Sequence, residues 1–455
     1  MYRTALAVAI AGVFAQPCLA ADTEPASRSE VEALRQEVNE LKAQIKELLQ
    51  ERRSEAAAAK AAPPATSAAR SDTSKPAAQA EPRSAETGTA SASAEKPASP
   101  VSLFGYGEIN YNNYTNDSSR SQADLRRFVV GFEYAFSDQL HFNSEAEWEH
   151  AVTSADDQGE VEIEQAYLDY QANQHFSVKG GLFLMPFGWL NQRHEPPVYY
   201  GVERNEVETR IIPTTWREGG VGVTWATDNG ISYELGVTTG FDISKFDDPS
   251  APLRSMHQEL QLARAHDLSY YAAVNYRGIP GFTVGGAAFY GNSTQGNAAF
   301  RADNTQPDFD GLNGRVTLWD VHARWQPGNF DLQALYARGH IGDAAQIDDT
   351  LLAFNQANGA DRQFVPAGFY GWYGQAAYRL RLRENVMLAP FVRYEYYNTQ
   401  SSMPAGFAVD PTNANHVLTG GVNFYPHPQV VIKADYQKYT DRDNNRFDLG
   451  LGYMF

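Results

Sequence analysis

The densest chemistry in this sequence lies between residues 187 and 216. There Arg193, Glu203, Arg204, Glu206, Glu208 and Arg210, with Arg217 just beyond, mix both signs of charge among tyrosines, prolines and aliphatic residues. Val198, Tyr199, Tyr200, Ile211, Ile212 and Trp216 make the segment too apolar for a solvated loop, so it needs an enclosing wall to pack on. Folded into such a space it would offer its charges to whatever passes, and rings of charged side chains at a narrow point sort ions by sign. The competing reading is that these charges neutralise one another and only pin the segment to its support. No other chemistry competes strongly. No Ser/His/Asp set forms a local motif, the 10 histidines are scattered, and no run has the spacing of a calcium loop. An enzyme is not expected, nor a metal site or a cofactor.

A wall that could surround the segment is written most plainly in the last ten residues. Phe447, Leu449, Leu451, Tyr453 and Phe455 alternate with Arg446, Asp448, Gly450, Gly452 and Met454, an unbroken period of two. A strand this regular faces two solvents, lipid on one side and water on the other. In hydrocarbon every backbone N–H and C=O must be paired within the protein, so the strand belongs in a closed barrel. The terminal Phe455 resembles the aromatic by which bacterial outer-membrane barrels are recognised for assembly.

Composition agrees with this reading. A mean hydropathy of −0.47 and the lack of any apolar run near 18 residues after the amino-terminal leader exclude helical membrane spans. They leave a barrel open, because half of every barrel strand is polar. The 25 Tyr, 24 Phe, 7 Trp and 36 Gly suit aromatic girdles and lipid-facing strands. A net charge of −18 argues against nucleic acid as a partner.

Counting turns gives the size of the barrel. Short turn signals fall at 137–139, 172–174, 227–230, 277–281, 326–329, 383–385 and 426–428, with long segments between them. Seven short turns and eight long loops join about sixteen antiparallel strands from Val101 to Phe455, and an even count brings both barrel ends to one side. With apolar residues such as Trp319, Val321, Val392 and Tyr394 turned outward, Arg324, Arg379, Arg393, Lys433 and Arg446 turn inward as a basic wall. His141, Glu145, Glu147 and Glu149 turn inward on an early strand. Aspartates such as Asp247, Asp248, Asp303 and Asp349 fall in the long loops, where divalent cations bridging lipopolysaccharide could neutralise them.

Ahead of the barrel stand three other segments. Residues 1–20 have the early cation, apolar core and small-residue end of a secretory signal peptide, cut after Ala20. Removing it takes away Cys18, the single cysteine, and with it any disulfide or thiolate site. Residues 27–52 carry Val31, Leu34, Val38, Leu41, Ile45 and Leu48 at 3-4 spacing, a coiled-coil helix that associates with copies of itself. Residues 53–100 are rich in Ala, Pro and Ser with hardly a larger aliphatic, which predicts a disordered linker.

Within and beside the charged segment, Pro186-Phe187-Gly188, His194-Glu195-Pro196-Pro197, Gly201-Val202-Glu203-Arg204 and 208–220 together resemble the phosphate-selective porin O/P-type superfamily. The resemblance runs from about Val101 to Phe455. It implies an all-β, 16-stranded transmembrane barrel in the bacterial outer membrane, trimeric, with the loop 187–216 as its constriction and the coiled coil in the periplasm. The expected function is passive passage of small hydrophilic solutes with a modest preference for anions, either phosphate-like or carboxylate, since loop acids and bases nearly balance. A non-selective general-diffusion porin is the close alternative, and a structural barrel tethered to periplasmic partners is the other. Partners are a homotrimer, outer-membrane lipid and lipopolysaccharide, and the anionic or neutral solutes themselves.

Overall fold

The computed structural model describes residues 99–154 and 157–455. The expected leader and coiled coil, and all but the last two residues of the expected linker, lie outside the described residues. From Val101 onward the chain forms one closed antiparallel sheet. Its strands are β1 (Val101–Tyr114), β2 (Gln122–Ala135), β3 (Leu140–Glu149), β4 (Glu160–Asn173), β5 (Phe176–Leu184), β6 (Arg217–Ala226), β7 (Ile231–Thr238), β8 (Ser269–Ile279) and β9 (Phe282–Gly291). The ring continues through β10 (Val316–Trp325), β11 (Phe330–Ile341), β12 (Gly368–Tyr378), β13 (Leu380–Arg383), β14 (Val386–Ser402), β15 (Ala414–His427), β16 (Val430–Tyr439) and β17 (Arg446–Met454). β12 and β13 both pair with β14 and form one stave interrupted at Arg379, so the barrel has 16 staves. Closure comes from β1, which pairs with β2 on one side and with β17 on the other, from Tyr106 opposite Met454 to Tyr114 opposite Arg446.

Short turns and long loops alternate as the turn chemistry predicts. The two-sided character of the wall is equally direct. On β17, Phe447, Leu449 and Leu451 are exposed while Asp448 and Gly452 are buried, and on β10 Trp319 and Val321 are exposed while Asp320 and His322 are buried. Outward apolar side chains meet lipid, and inward polar ones meet either one another or the lumen.

An apolar core in a barrel needs something inside or above the sheet to build on, and here the long loops supply it. Phe187, Val207, Ile211, Ile212 and Trp216 join Phe241, Leu253 and Met256 from the loop after β7, Phe309 from the loop after β9, and Ile347 and Leu351 from the helix Ala344–Asn358 after β11. These residues are almost fully buried, against inward side chains such as Phe289, Leu318 and Phe369. The segment after β5 is therefore one component of a packed assembly at the long-loop end of the barrel.

Candidate functional site

The charged segment leaves the wall through a locked neck. Met185 N–H donates to Trp216 O at 2.9 Å. The Asn191 side chain bridges the same two residues, its Nδ2 donating to Met185 O at 2.7 Å and Trp216 O at 2.8 Å while its Oδ1 accepts from Trp216 N–H at 2.7 Å. The Phe187 and Trp216 rings lie 4.9 Å apart. A buried amide that satisfies three backbone groups fixes both limbs of the loop at once.

From the neck the chain crosses the lumen. It departs between β5 and β6 and attaches to strands on the opposite side of the ring. Tyr199 Oη donates to Glu108 on β1 at 2.9 Å and Tyr200 Oη to Asp331 on β11 at 3.0 Å. Val202 N–H donates to Asp435 on β16 at 2.6 Å, and Glu206 N–H to Glu395 on β14 at 2.8 Å. Room for this docking is made by wall glycines. A Cβ at Gly452 would stand 2.3 Å from Pro196 Cβ, and one at Gly450 would stand 3.1 Å from Val202 Cγ1.

Each loop carboxylate is drawn toward the wall. Glu203 accepts from Asn112 at 3.0 Å and from Arg126 at 2.9 Å, and Glu206 accepts from Arg210 and Tyr439. Burial pushes both carboxyls up, but nearby guanidiniums, led by Arg126 for Glu203 and by Arg210 for Glu206, outweigh it and hold each at about 2. Glu208 is buried within the loop, accepting from the N–H groups of Trp189 at 2.8 Å and Leu190 at 2.6 Å and from Tyr373 Oη at 2.7 Å. There burial prevails and raises its pKa.

The loop cations are placed differently. Arg193, Arg204 and Arg210 are all half-buried, as Glu203 is. Arg210 is paired with Glu206 and stands 5.4 Å from the Tyr397 ring centre. Arg204 donates to the hydroxyls of Thr214 and Thr215, and among the described residues no carboxylate lies within ion-pair distance of it. Its Nε and Nη2 are covered and have no hydrogen-bond partner, so the charge of Arg204 is held inside the segment without a carboxylate beside it, whereas Glu206 and Glu208 are buried with their partners.

The remaining residues singled out in the sequence divide. Arg217 is the first residue of β6 rather than part of the loop, 3% exposed and paired with Glu162 and Glu259. Contrary to the expectation of an open basic wall, Arg393 and Lys433 are each 2% exposed, because the loop docks on that side of the barrel and covers them. Arg393 pairs with Glu395 at 2.8 Å and also donates to Tyr200 O, and Lys433 Nζ sits 3.5 Å from the Tyr199 ring centre. Arg324 and Arg446 are half-buried and paired with Asp331 and Asp448, while Arg379 is half-buried at the break between β12 and β13. Sequence reading did not single out Asn112, Arg126, Tyr373 or Tyr439 as partners of the loop. The inward positions of Asn112, Tyr373 and Tyr439 follow from the period of two, whereas Arg126 is the extra residue of a bulge on β2, between Arg127 opposite Glu108 and Leu125 opposite Ile109. Which of them meets which loop residue does not follow from the sequence.

The chain matches the family described as phosphate-selective porin O and P over residues 104–450. An uncharacterized protein of Aquifex aeolicus (strain VF5) is 33% identical over 363 residues, covering 78% of this chain and 80% of that protein. Among solved structures, Salmonella typhi OmpF in complex with daunomycin superposes with a TM-score of 0.51 at 14% identity, covering 78% of this chain and 97% of that one. The outer membrane channel DcaP of Acinetobacter baumannii superposes at 0.46 with 14% identity, again over 78% of this chain and 97% of that one.

Proposed function

This chain belongs to the phosphate-selective porin O and P family, and on that premise we propose that it is a passive channel with a modest preference for small anions, phosphate-like or carboxylate. Family and fold point to a channel in the outer membrane rather than to an enzyme. The finer reading rests on one observation: Glu206 and Glu208 are buried and Glu203 is held by Asn112 and Arg126, whereas Arg204, among the described residues, has no carboxylate within ion-pair distance. Arg204 donates from Nη1 to neutral hydroxyls and its covered Nε and Nη2 have no partner, so no hydrogen-bonded carboxylate cancels its field. A unit charge about 4 Å from an ion is worth about 1 kcal/mol even in bulk water, and more where the lumen is narrow and partly dry. In this reading the segment 187–216 is the constriction, the protein is a homotrimer, and Arg324, Arg379, Arg393, Lys433 and Arg446 act mainly by holding the loop.

Reversal potentials in a KCl gradient across a planar bilayer test the reading. The expected sign is that of an anion-preferring channel, and Arg204→Ala should reduce the anion-to-cation permeability ratio about two- to fivefold, as removal of one such charge implies. A cation-preferring wild type overturns the proposal. A ratio of unity that Arg204→Ala leaves unchanged favours general diffusion instead.

A further inference from the structure

Where the loop leaves the wall there is a second cluster that channel function does not use. Glu145 on β3, Glu164 on β4 and His194 on the loop bring one ligand atom each to within 4.8 Å of one another. Glu164 reaches this point through a β-bulge: Glu145 pairs with Gln165 and Ala146 with Ile163, so Glu164 is the extra residue of its strand. It is fully buried, its Oε2 accepts from Tyr106 Oη at 3.0 Å, and its Oε1 has no hydrogen-bond partner although it faces His194 Nε2 at 3.6 Å. Arg127, the neighbouring cation, is committed to Glu108 at 3.0 Å and Glu147 at 3.1 Å.

We infer that Glu145, Glu164 and His194 form a binding site for one divalent transition-metal ion of the zinc class, which clamps the root of the loop to the barrel wall. The histidine is set up as a ligand. Its Nδ1 lies 3.1 Å from the carbonyl oxygen of Asn191, an acceptor only, so the proton sits on Nδ1 and the lone pair on Nε2 points into the cluster. Tyr106 Oη, 2.6 Å from Nε2 and 3.0 Å from Glu164 Oε2, has a single proton and cannot donate to both. A metal on Nε2 resolves that competition and leaves the hydroxyl to orient the Glu164 carboxylate. One imidazole and two carboxylates favour a borderline cation such as Zn²⁺ over Mg²⁺ or Ca²⁺, which prefer oxygen alone. Ligand atoms around tetrahedral zinc stand about 3.4 Å apart, so the cluster must contract by about an ångström. Half-buried Glu145 has the freedom to move that far.

The test is calorimetric titration of Zn²⁺ into the full-length chain in detergent, after stripping with EDTA. One equivalent per chain is expected, and Co²⁺ in its place should give the intense visible absorption of a four- or five-coordinate centre. His194→Gln and Glu145→Gln should each lower Zn²⁺ affinity by at least about tenfold. Glu145→Gln keeps the test informative if loss of the histidine prevents folding, because it alters a half-exposed side chain. No stoichiometric uptake by the wild type overturns the proposal. So does weak uptake of several equivalents that the variants leave unchanged, which is the signature of scattered loop carboxylates.

Discussion

Glu203 and Glu206 look at first like the acids that should make the passage cation-selective, and their surroundings assign them another task. Each is held ionised far below its ordinary value of 4.5 by guanidiniums that would otherwise face water, so each spends its charge on fastening the loop. A carboxylate whose pKa is depressed in the folded state adds stability that is fully present above its unfolded pKa and disappears as pH falls through the folded one. Loop anchoring should therefore weaken between about pH 4.5 and 2, the interval these two carboxyls define. Single-channel records taken from neutral to acid pH should turn noisy within that interval, and Glu206→Gln should be noisy at pH 7 already. A quiet Glu206→Gln channel of wild-type conductance would show that Arg210 and Tyr439 hold the loop without the charge.

At the scale of elements, the loop after β5 works by reaching the far wall, and the far wall is shaped to receive it. Gly452→Val would place side-chain atoms where Pro196 now packs, since even a Cβ there stands 2.3 Å from Pro196 Cβ. Overpacking of this kind costs about 1–3 kcal/mol. Its expected signs are a lower temperature for the unfolding shift on SDS gels and a noisier open level, while Gly374→Ala, with open space around its Cβ position, should be silent. Deleting residues 198–210 should raise conductance severalfold, because resistance concentrates at the narrowest section of a pore; unchanged conductance would place the constriction elsewhere. The strand scaffold was legible in advance. The alternation of β17 and the spacing of turns led to 16 staves, and the apolar residues of 187–216 to an inward loop, because a period of two, turn chemistry and local composition are all properties of short stretches of chain. The identity of the loop's partners was not legible. Arg126 meets Glu203 and Tyr373 meets Glu208 across 77 and 165 residues, pairings set by barrel closure and by where the loop lands. A bulge such as the one at Glu164 shifts the facing of one residue without leaving a mark in the hydrophobic pattern.

For the whole molecule, the question is what the segment ahead of the barrel contributes. Every stave of the ring is paired on both sides within residues 101–454, and β1, the first, is held by β2 along one edge and by β17 along the other. The neck of the loop, its docking sites and the packed long-loop assembly likewise use residues after 101. A closed barrel has no free sheet edge for a preceding segment to cover, and among the described residues its one backbone-to-backbone hydrogen bond to that segment is from Ala135 N–H, the last residue of β2, to Pro100 O at 2.8 Å. A chain retaining residues 1–20 but lacking residues 21–100 should therefore insert, show the wild-type heat-induced shift on SDS gels, and conduct with wild-type amplitude. The proposed trimer should survive as well. Barrel walls that meet along lipid-facing staves bury far more apolar surface than the three heptads expected in residues 27–52 can, and interface area of that kind carries obligate assembly. Native gels of the truncated protein decide the matter: a trimer assigns assembly to the barrel, whereas a monomer that still conducts assigns it to residues 27–52 and leaves the barrel a self-sufficient pore.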